Sequence, residues 1–387
     1  MSLPKTNTDV LIVGAGPSGL ALAAELKREG VDCLIIDRQP AGANTSRACV
    51  VHARTLEVLQ PLSISARLLE QGITVPIFRI RERDRALLTI DFASIDSDFP
   101  FTLMCPQDRV ERCLLEALLM HGGRVERPCE FTHLSNLDSH VDADIRMADG
   151  TATIKARWLV GCDGMHSAVR EEAGIDFRGG GYEEDFILGD VRMDWPLERS
   201  EVTLFYSPDG FMVVAPLPDE HFRIVAMVDE APEHPSLDLL QSLLDRRGPR
   251  QDAGHVREVA WSSRFRIHHR VVEKPRHRRI LLCGDAAHVH SPAGGQGMNT
   301  GIQDSLSLAP VLAAVIHGAN DIMLDEWAAA RHRIASEVVS LTNRMTRIAK
   351  LKSPAAKGLR NLAVAFAGHL PPVREALART LAEIENR

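Results

Sequence analysis

Tyrosine is nearly absent from this chain: two occur in 387 residues, aromatic residues make up 5% of the total, and the four tryptophans stand far apart. A binding pocket walled by tyrosine is therefore not expected. No apolar run reaches the ~18 residues that a membrane-spanning helix needs, so no membrane partner is expected. The opening "MSLPKTNTDV" lacks the apolar centre of a secretion signal, which points to a cytoplasmic setting. Seven cysteines are scattered without a CxxC pair or metal-ligand spacing. They read as small buried hydrophobes in a reducing compartment. His288 and His290 form an HxH pair, but no third ligand converges on them in sequence, so no metal site is expected. The net charge of -7 argues against nucleic acid, which is bound by clustered Lys and Arg. One basic run, "RIHHRVVEKPRHRR" (266–279), reads as a solvated face. No internal repeat stands out.

What is present starts with a β-α-β pattern. "DVLIVG" (9–14) is an apolar strand, "PSGLALAAELKREG" (17–30) a helix, and "DCLIID" (32–37) a second strand. Gly14, Gly16 and Gly19 form GxGxxG between strand and helix. The first glycine permits a tight turn, the second lets a pyrophosphate approach the backbone, and the third packs helix on strand. The helix amino terminus then faces the phosphate charge. Asp37 lies eighteen residues beyond Gly19, where a carboxylate can accept hydrogen bonds from an adenosine ribose. An adenine dinucleotide is implied, with NAD and FAD both open at this point.

Further along, "ARTLEVLQPL" and "DRVERCLLEALLMHGG" read as helices, the latter closed by Gly122 and Gly123. Residues 73–101 and 179–268 carry strand patterns, with one helix near "SLDLLQSLLDRR". "RRILLCGD" restores a buried strand, and from Met298 the pattern is helical. The spacing of "EWAAARHRIASEVVSLTNRMTRIAKL" suits packing on the body or on a second copy, so a homodimer is open. Nucleotide-type elements thus lie in three pieces with β-rich material between them. The expected fold class is α/β, with a discontinuous Rossmann-type domain (1–72, 101–178 and 269–330). An inserted mixed or antiparallel sheet domain (73–100 and 179–268) and carboxy-terminal helices (331–387) complete it.

Two more strand ends carry acids. In "GCDGMHSAVR", Asp163 is either the cap of a strand-to-helix turn or a ligand contact, with Gly164 keeping the surface open. In "GDAAHVHSPAGGQGMNTGIQDS", Asp285 follows a strand, where α/β folds place ligand contacts. "GGQG" then leaves backbone N–H groups bare before a helix that starts near Met298. Such an end stabilises the negative charge of a reduced flavin; the plainer reading is a glycine-rich hinge.

With these motifs, "SRACVVHARTLEVL" and "CPQDRVERCLLEAL", the chain resembles the class A flavoprotein monooxygenases, the family of para-hydroxybenzoate and phenol hydroxylases, from residue 9 to about 310. The resemblance implies that Gly14, Gly16, Gly19 and Asp37 hold the adenosine and pyrophosphate of FAD, with Pro17, Ser18 and Arg38 beside them. It implies that Arg47 and Gln107 contact the phosphates and ribityl region, that Asp163 serves FAD and the passing NAD(P)H, and that Asp285 binds the ribityl chain. Gly297, Met298 and Asn299 would offer backbone groups to the flavin ring, Gly295 would lie beside them, and Pro292 would cover the reaction cavity.

The implied activity uses NAD(P)H and O₂ to hydroxylate an aromatic substrate, with oxygen activated at flavin C4a. No second Rossmann motif for NAD(P)H is found, in keeping with the family. No side chain is assigned as a catalyst; His52 and His288 read as fixed hydrogen-bonding groups rather than bases. Where para-hydroxybenzoate hydroxylases clamp a carboxylate, "FMVVAPL" offers Met212 and Val214, so a hydrophobic, even polycyclic, substrate is expected, with Arg223 as one available charge. The rivals are an oxidoreductase without oxygen insertion and a flavin-bound protein that turns nothing over. A flavin-dependent halogenase is disfavoured by the absence of its Trp-x-Trp-x-Ile-Pro signature.

Overall fold

The computed structural model describes residues 6–42, 48–292, 294–349, 351 and 353–386. β1 (Asn7–Val13), α1 (Pro17–Arg28) and β2 (Cys33–Ile36) form the β-α-β unit. There follow β3 (Val50–Val51), α2 (Ala53–Leu59), α3 (Ile64–Gln71), β4 (Ile73–Val75), β5 (Ile77–Glu82) and β6 (Arg85–Asp91). β7 (Thr102–Met104) leads into α4 (Gln107–Met120), then β8 (Val125–Glu126), β9 (Glu130–Asn136), β10 (Val141–Met147), β11 (Gly150–Gly161) and α5 (Ala168–Glu172). β12 (Phe177–Asp194), β13 (Glu201–Ser207), β14 (Gly210–Pro216), β15 (His221–Val228), α6 (Leu237–Arg247) and β16 (His255–Val272) make the central β-rich stretch. β17 (Arg276–His277), β18 (Ile280–Leu282) and β19 (His288–Val289) precede four helices. These are α7 (Gly297–Ile316), α8 (Ile322–Ala349), α9 (Pro354–Gly368) and α10 (Pro371–Leu381).

Two large sheets carry the molecule. In the first, β18, β11, β1, β2 and β8 run parallel in that order, and β10 pairs antiparallel with β11. Val10–Val13 of β1, β2, β18 and the end of β11 (158–161) are buried on both faces, as a parallel sheet covered on both sides requires. One face packs on α1, α4 and α7 through Leu20, Leu22, Leu114 and Leu312. The second sheet runs β19-β16-β12-β15-β14-β13-β5-β6. It is antiparallel except where β5 joins β13 in parallel, and α6 covers one face through Leu240, Leu243 and Leu244. The fold is therefore α/β with a mixed second sheet. All seven cysteines are buried and unbridged. Helix α8 packs on the body through Leu324, Trp327 and Ala328. Among the described residues no helix is long and apolar enough to cross a membrane.

Candidate functional site

The glycine turn is built by contact. Gly14 sits at φ +101°, and a Cβ there would lie 2.4 Å from the Cys162 carbonyl oxygen at the end of β11. A Cβ on Gly19 would lie 1.9 Å from the Gly14 oxygen, so no larger residue allows α1 to approach the turn. Gly16 is different: a Cβ there meets no protein atom within 4 Å, and the space before it is open. Helix α1 has no side-chain cap, and its first intrahelical bond runs from Leu20 N–H to Gly16 O at 2.9 Å. Pro17 has no N–H, so the amides of Ser18 and Gly19 precede the helical ladder. Asp37 accepts the N–H of Ala15 at 2.6 Å and that of Gln39 at 2.7 Å, which draws its carboxylate onto the turn. Arg38 is exposed beside it.

At the end of β11, Asp163 accepts the Ser167 hydroxyl at 2.6 Å and the Val169 N–H at 3.2 Å. Its hydrogen bonds thus make it the organiser of the turn into α5, while it also lines the cavity described below. Burial pushes its pKa up. Arg170, which the sequence did not mark out, donates to Met165 O at 2.9 Å and to Ala286 O at 3.1 Å. It straps the Asp163 turn to the Asp285 turn, with its guanidinium 4.1 Å from the centre of the Phe177 ring.

Asp285 lies in a short 3₁₀ turn (Gly284–Ala286) after β18 and is exposed on the cavity side. The Ser18 hydroxyl is wedged where Cβ atoms on Gly284 and Gly301 would fall, 2.4 and 2.5 Å away, so this turn, α1 and α7 meet at one point. Behind it, Asp304 accepts from Arg331 Nε at 2.6 Å, from His288 Nε2 at 2.6 Å and from Gly284 N–H at 3.1 Å. Burial alone would raise the Asp304 pKa, but Arg331 and His288 hold it down at about 2. None of this triad's roles was legible beforehand, although Asp304 stands in the quoted "GIQDS".

Helix α7 begins at Gly297 without a side-chain cap, and its first internal bond is Thr300 N–H to Gln296 O. The N–H groups of Gly297, Met298 and Asn299 precede the ladder. Gly295, Gly297, Met298 and Pro292 line the cavity; Asn299 does not. Asn299 is fully buried and its amide accepts from His52 N–H at 2.9 Å and donates to Val50 O at 2.8 Å and Gly295 O at 2.9 Å. Gln107, at the start of α4, accepts the Ala48 N–H at 3.3 Å and donates to Glu111 at 2.9 Å. Arg47 lies outside the described residues. His52 is held by Gly294 O at 2.8 Å and burial lowers its pKa to about 4, so it is neutral at ordinary pH. His288 is taken up by Asp304. Each buried ring thus makes a hydrogen bond.

These pieces surround one cavity of about 720 Å³. Gly14, Gly16, Pro17, Ser18, Asp37, Arg38, Gln107, Asp163 and Asp285 form one end. The other end is the face of the second sheet that α6 leaves uncovered: Leu188, Leu204, Phe211, Val213, Ala215, Val225 and Ile267. The expected wall residues Met212 and Val214 need correction. They point to the opposite face and pack on α6, because side chains alternate along β14 and its odd-numbered residues face the cavity. Arg223 is on the cavity wall but only 1% exposed, and it is bonded to Asp190 through Nε at 2.7 Å and Nη2 at 2.8 Å.

The family model described as FAD binding domain matches residues 7–342. The 6-methylpretetramide 4-monooxygenase of Streptomyces rimosus is 35% identical over 94% of this chain and 66% of its own length. The pentachlorophenol 4-monooxygenase of Sphingobium chlorophenolicum is 34% identical over 88% of this chain and 64% of its own. The chain thus spans about two thirds of the length of these curated relatives. The OxyS anhydrotetracycline hydroxylase structure from Streptomyces rimosus superposes with a TM-score of 0.83 at 30% identity, covering 98% of this chain and 76% of that one. With the glycine turn, two acid-bearing strand ends and a bare helix terminus around one cavity, this chain belongs to the FAD-binding family of the class A flavoprotein aromatic monooxygenases.

Proposed function

We propose that the protein is a FAD-dependent monooxygenase that uses NAD(P)H and O₂, in a cytoplasmic setting, to hydroxylate a bulky apolar aromatic substrate. The observation that carries this reading is the two-sidedness of the cavity. Open glycine backbone and two uncapped helix termini make one end, and an apolar sheet face makes the other. The donor set fits FAD: backbone N–H groups for its charged parts and the exposed Asp285 for its hydroxyls. In this reading Gly14, Gly16, Pro17, Ser18 and Gly19 approach the pyrophosphate, and Asp37 and Arg38 face the adenosine. Arg47, Gln107 and Asp285 hold the phosphate-to-ribityl region, Asp163 lies toward FAD and NAD(P)H, and Pro292, Gly295, Gly297 and Met298 border the ring, with Asn299 behind them holding the start of α7 in place.

The chemistry supplied by bound FAD is hydride acceptance and O₂ activation. The chain's own part is to orient and to exclude water. The α7 terminus favours negative charge near Gly297 and Met298. The apolar face of β14 and β15 keeps the reacting region dry. The relatives are named for 6-methylpretetramide, pentachlorophenol and anhydrotetracycline, and a wall of Phe211, Val213 and Val225 suits large apolar rings of that kind.

The test is NAD(P)H oxidation by the flavin-loaded protein across a panel of polycyclic and simple phenols. Stimulated oxidation with a product one oxygen atom heavier by mass spectrometry is expected. Oxidation that yields only hydrogen peroxide with every compound would remove the monooxygenase reading.

A further inference from the structure

Helix α9 turns Arg360 and Asn361 inward beside Val364 and Ala365. Arg360 and Asn361 are buried: the Arg360 guanidinium lies 4.0 Å from the centre of the Tyr206 ring, and Asn361 donates to Glu82 at 2.6 Å. The outward face shows Leu359, Leu362 and Phe366, which are 68%, 66% and 66% exposed. Small residues (Ala355, Gly358 and Ala363) fill the rest of that face, and it bears no charge. An ordinary surface helix has the reverse arrangement. Ile348, near the end of α8, is exposed as well, and so are Arg344 and Arg347 on the same helix.

Charge says what covers this face. Residues 338–374 contain seven Lys and Arg and no Asp or Glu, in a chain whose net charge is -7; Arg344, Arg347 and Arg374 are the exposed ones among the described residues, while Arg360 turns inward and Lys357 donates to Pro208 O. A twofold pairing of α9 with a second copy would set this basic segment against itself, and like charges across an interface disfavour it. An anionic surface that also accepts apolar side chains meets both features at once. We propose that α9 and the end of α8 form a peripheral docking surface for an anionic lipid bilayer. Helix α9, 15 residues and about 22 Å long, lies in the membrane plane with Leu359, Leu362 and Phe366 at the headgroup–acyl boundary. Arg344 and Arg347 face the lipid phosphates. This is adsorption, not insertion across the bilayer.

The test is flotation of the flavin-loaded protein with vesicles of phosphatidylcholine and phosphatidylglycerol in equal parts, and with phosphatidylcholine alone. The protein should float with the mixed vesicles at low salt, sink with the neutral ones, and be released as salt is raised. The pair Arg344→Gln and Arg347→Gln should weaken partition by roughly fivefold for each charge removed. The pair Leu362→Glu and Phe366→Glu should abolish it, with flavin content and thermal unfolding as in the wild type. Failure of the wild type to float with anionic vesicles overturns the proposal. So does a dimer in light scattering that Leu362→Glu and Phe366→Glu convert to monomer, which would assign the face to a second copy.

Discussion

The side-chain oxygen of Asn299 accepts the main-chain N–H of His52 at 2.9 Å, across 247 residues of sequence. The same amide group donates to Val50 O and Gly295 O, so one buried side chain fixes the start of α7 to β3 and to the glycine loop. Asn299→Leu keeps the branched shape and strands three backbone groups. It should cost about 2–4 kcal/mol of stability and loosen FAD, read by thermal unfolding and by flavin retained on gel filtration.

Asp285 is exposed and stands on a turn that other residues hold, so its removal should spare the fold. Asp285→Ala should lower FAD affinity roughly tenfold to a hundredfold, the worth of a charge-assisted hydrogen bond. Flavin fluorescence titration of the apoprotein measures it. Full flavin occupancy at wild-type affinity would contradict the role proposed for this acid.

Asp304 is the buried anion between Arg331 and His288. Asp304→Asn leaves Arg331 buried and uncompensated, which should destabilise by about 3–5 kcal/mol. Its folded pKa, about 2, lies below the ordinary 3.8. The stability it contributes is therefore present above pH 3.8 and is lost as pH falls through 2. Acid unfolding followed by circular dichroism should show this limb in the wild type and not in the variant.

Glu383 gives the opposite slope. It is buried between Gln303 and the core, and burial pushes its pKa up to about 8 from 4.5. The stability of its neutral form is full below pH 4.5 and lost as pH rises toward 8. Because the carboxy-terminal segment is tied here to α2 and α7, Glu383→Gln should flatten that decline. Melting temperatures of wild type and variant, compared from pH 5 to 8, test the sign.

Val213 and Val214 are neighbours with opposite duties. Val213→Trp narrows the cavity and should raise KM for the largest substrate at least tenfold, roughly the loss of one well-packed contact, with melting unchanged. Val214→Ala empties space against α6 and should cost about 2 kcal/mol with KM unchanged. Steady-state kinetics beside thermal unfolding separates the two faces of β14.

The glycine turn, Asp37, Asp163 and Asp285 were legible because each belongs to a local rule: an apolar strand, then an abrupt polar or glycine stop. The side of β14 that faces the cavity was not, since "FMVVAP" is apolar on both faces and its alternation carries no phase. The strap from Arg170 to Ala286, 116 residues apart, left no trace in sequence spacing. Helix α9 misleads in the same way. Its apolar stripe would be assigned to the core, yet the structure turns it outward.

By itself the chain determined its α/β class, its dinucleotide turn and its acid-tipped strands, because these depend on contacts between residues close in sequence. Tertiary packing decided which side of β14 meets the cavity, that Asn299 and Asp304 act as staples, and which way α9 faces. Those outcomes depend on partners brought together from distant segments, and a buried hydrogen bond or an apolar contact is specified only once both surfaces exist.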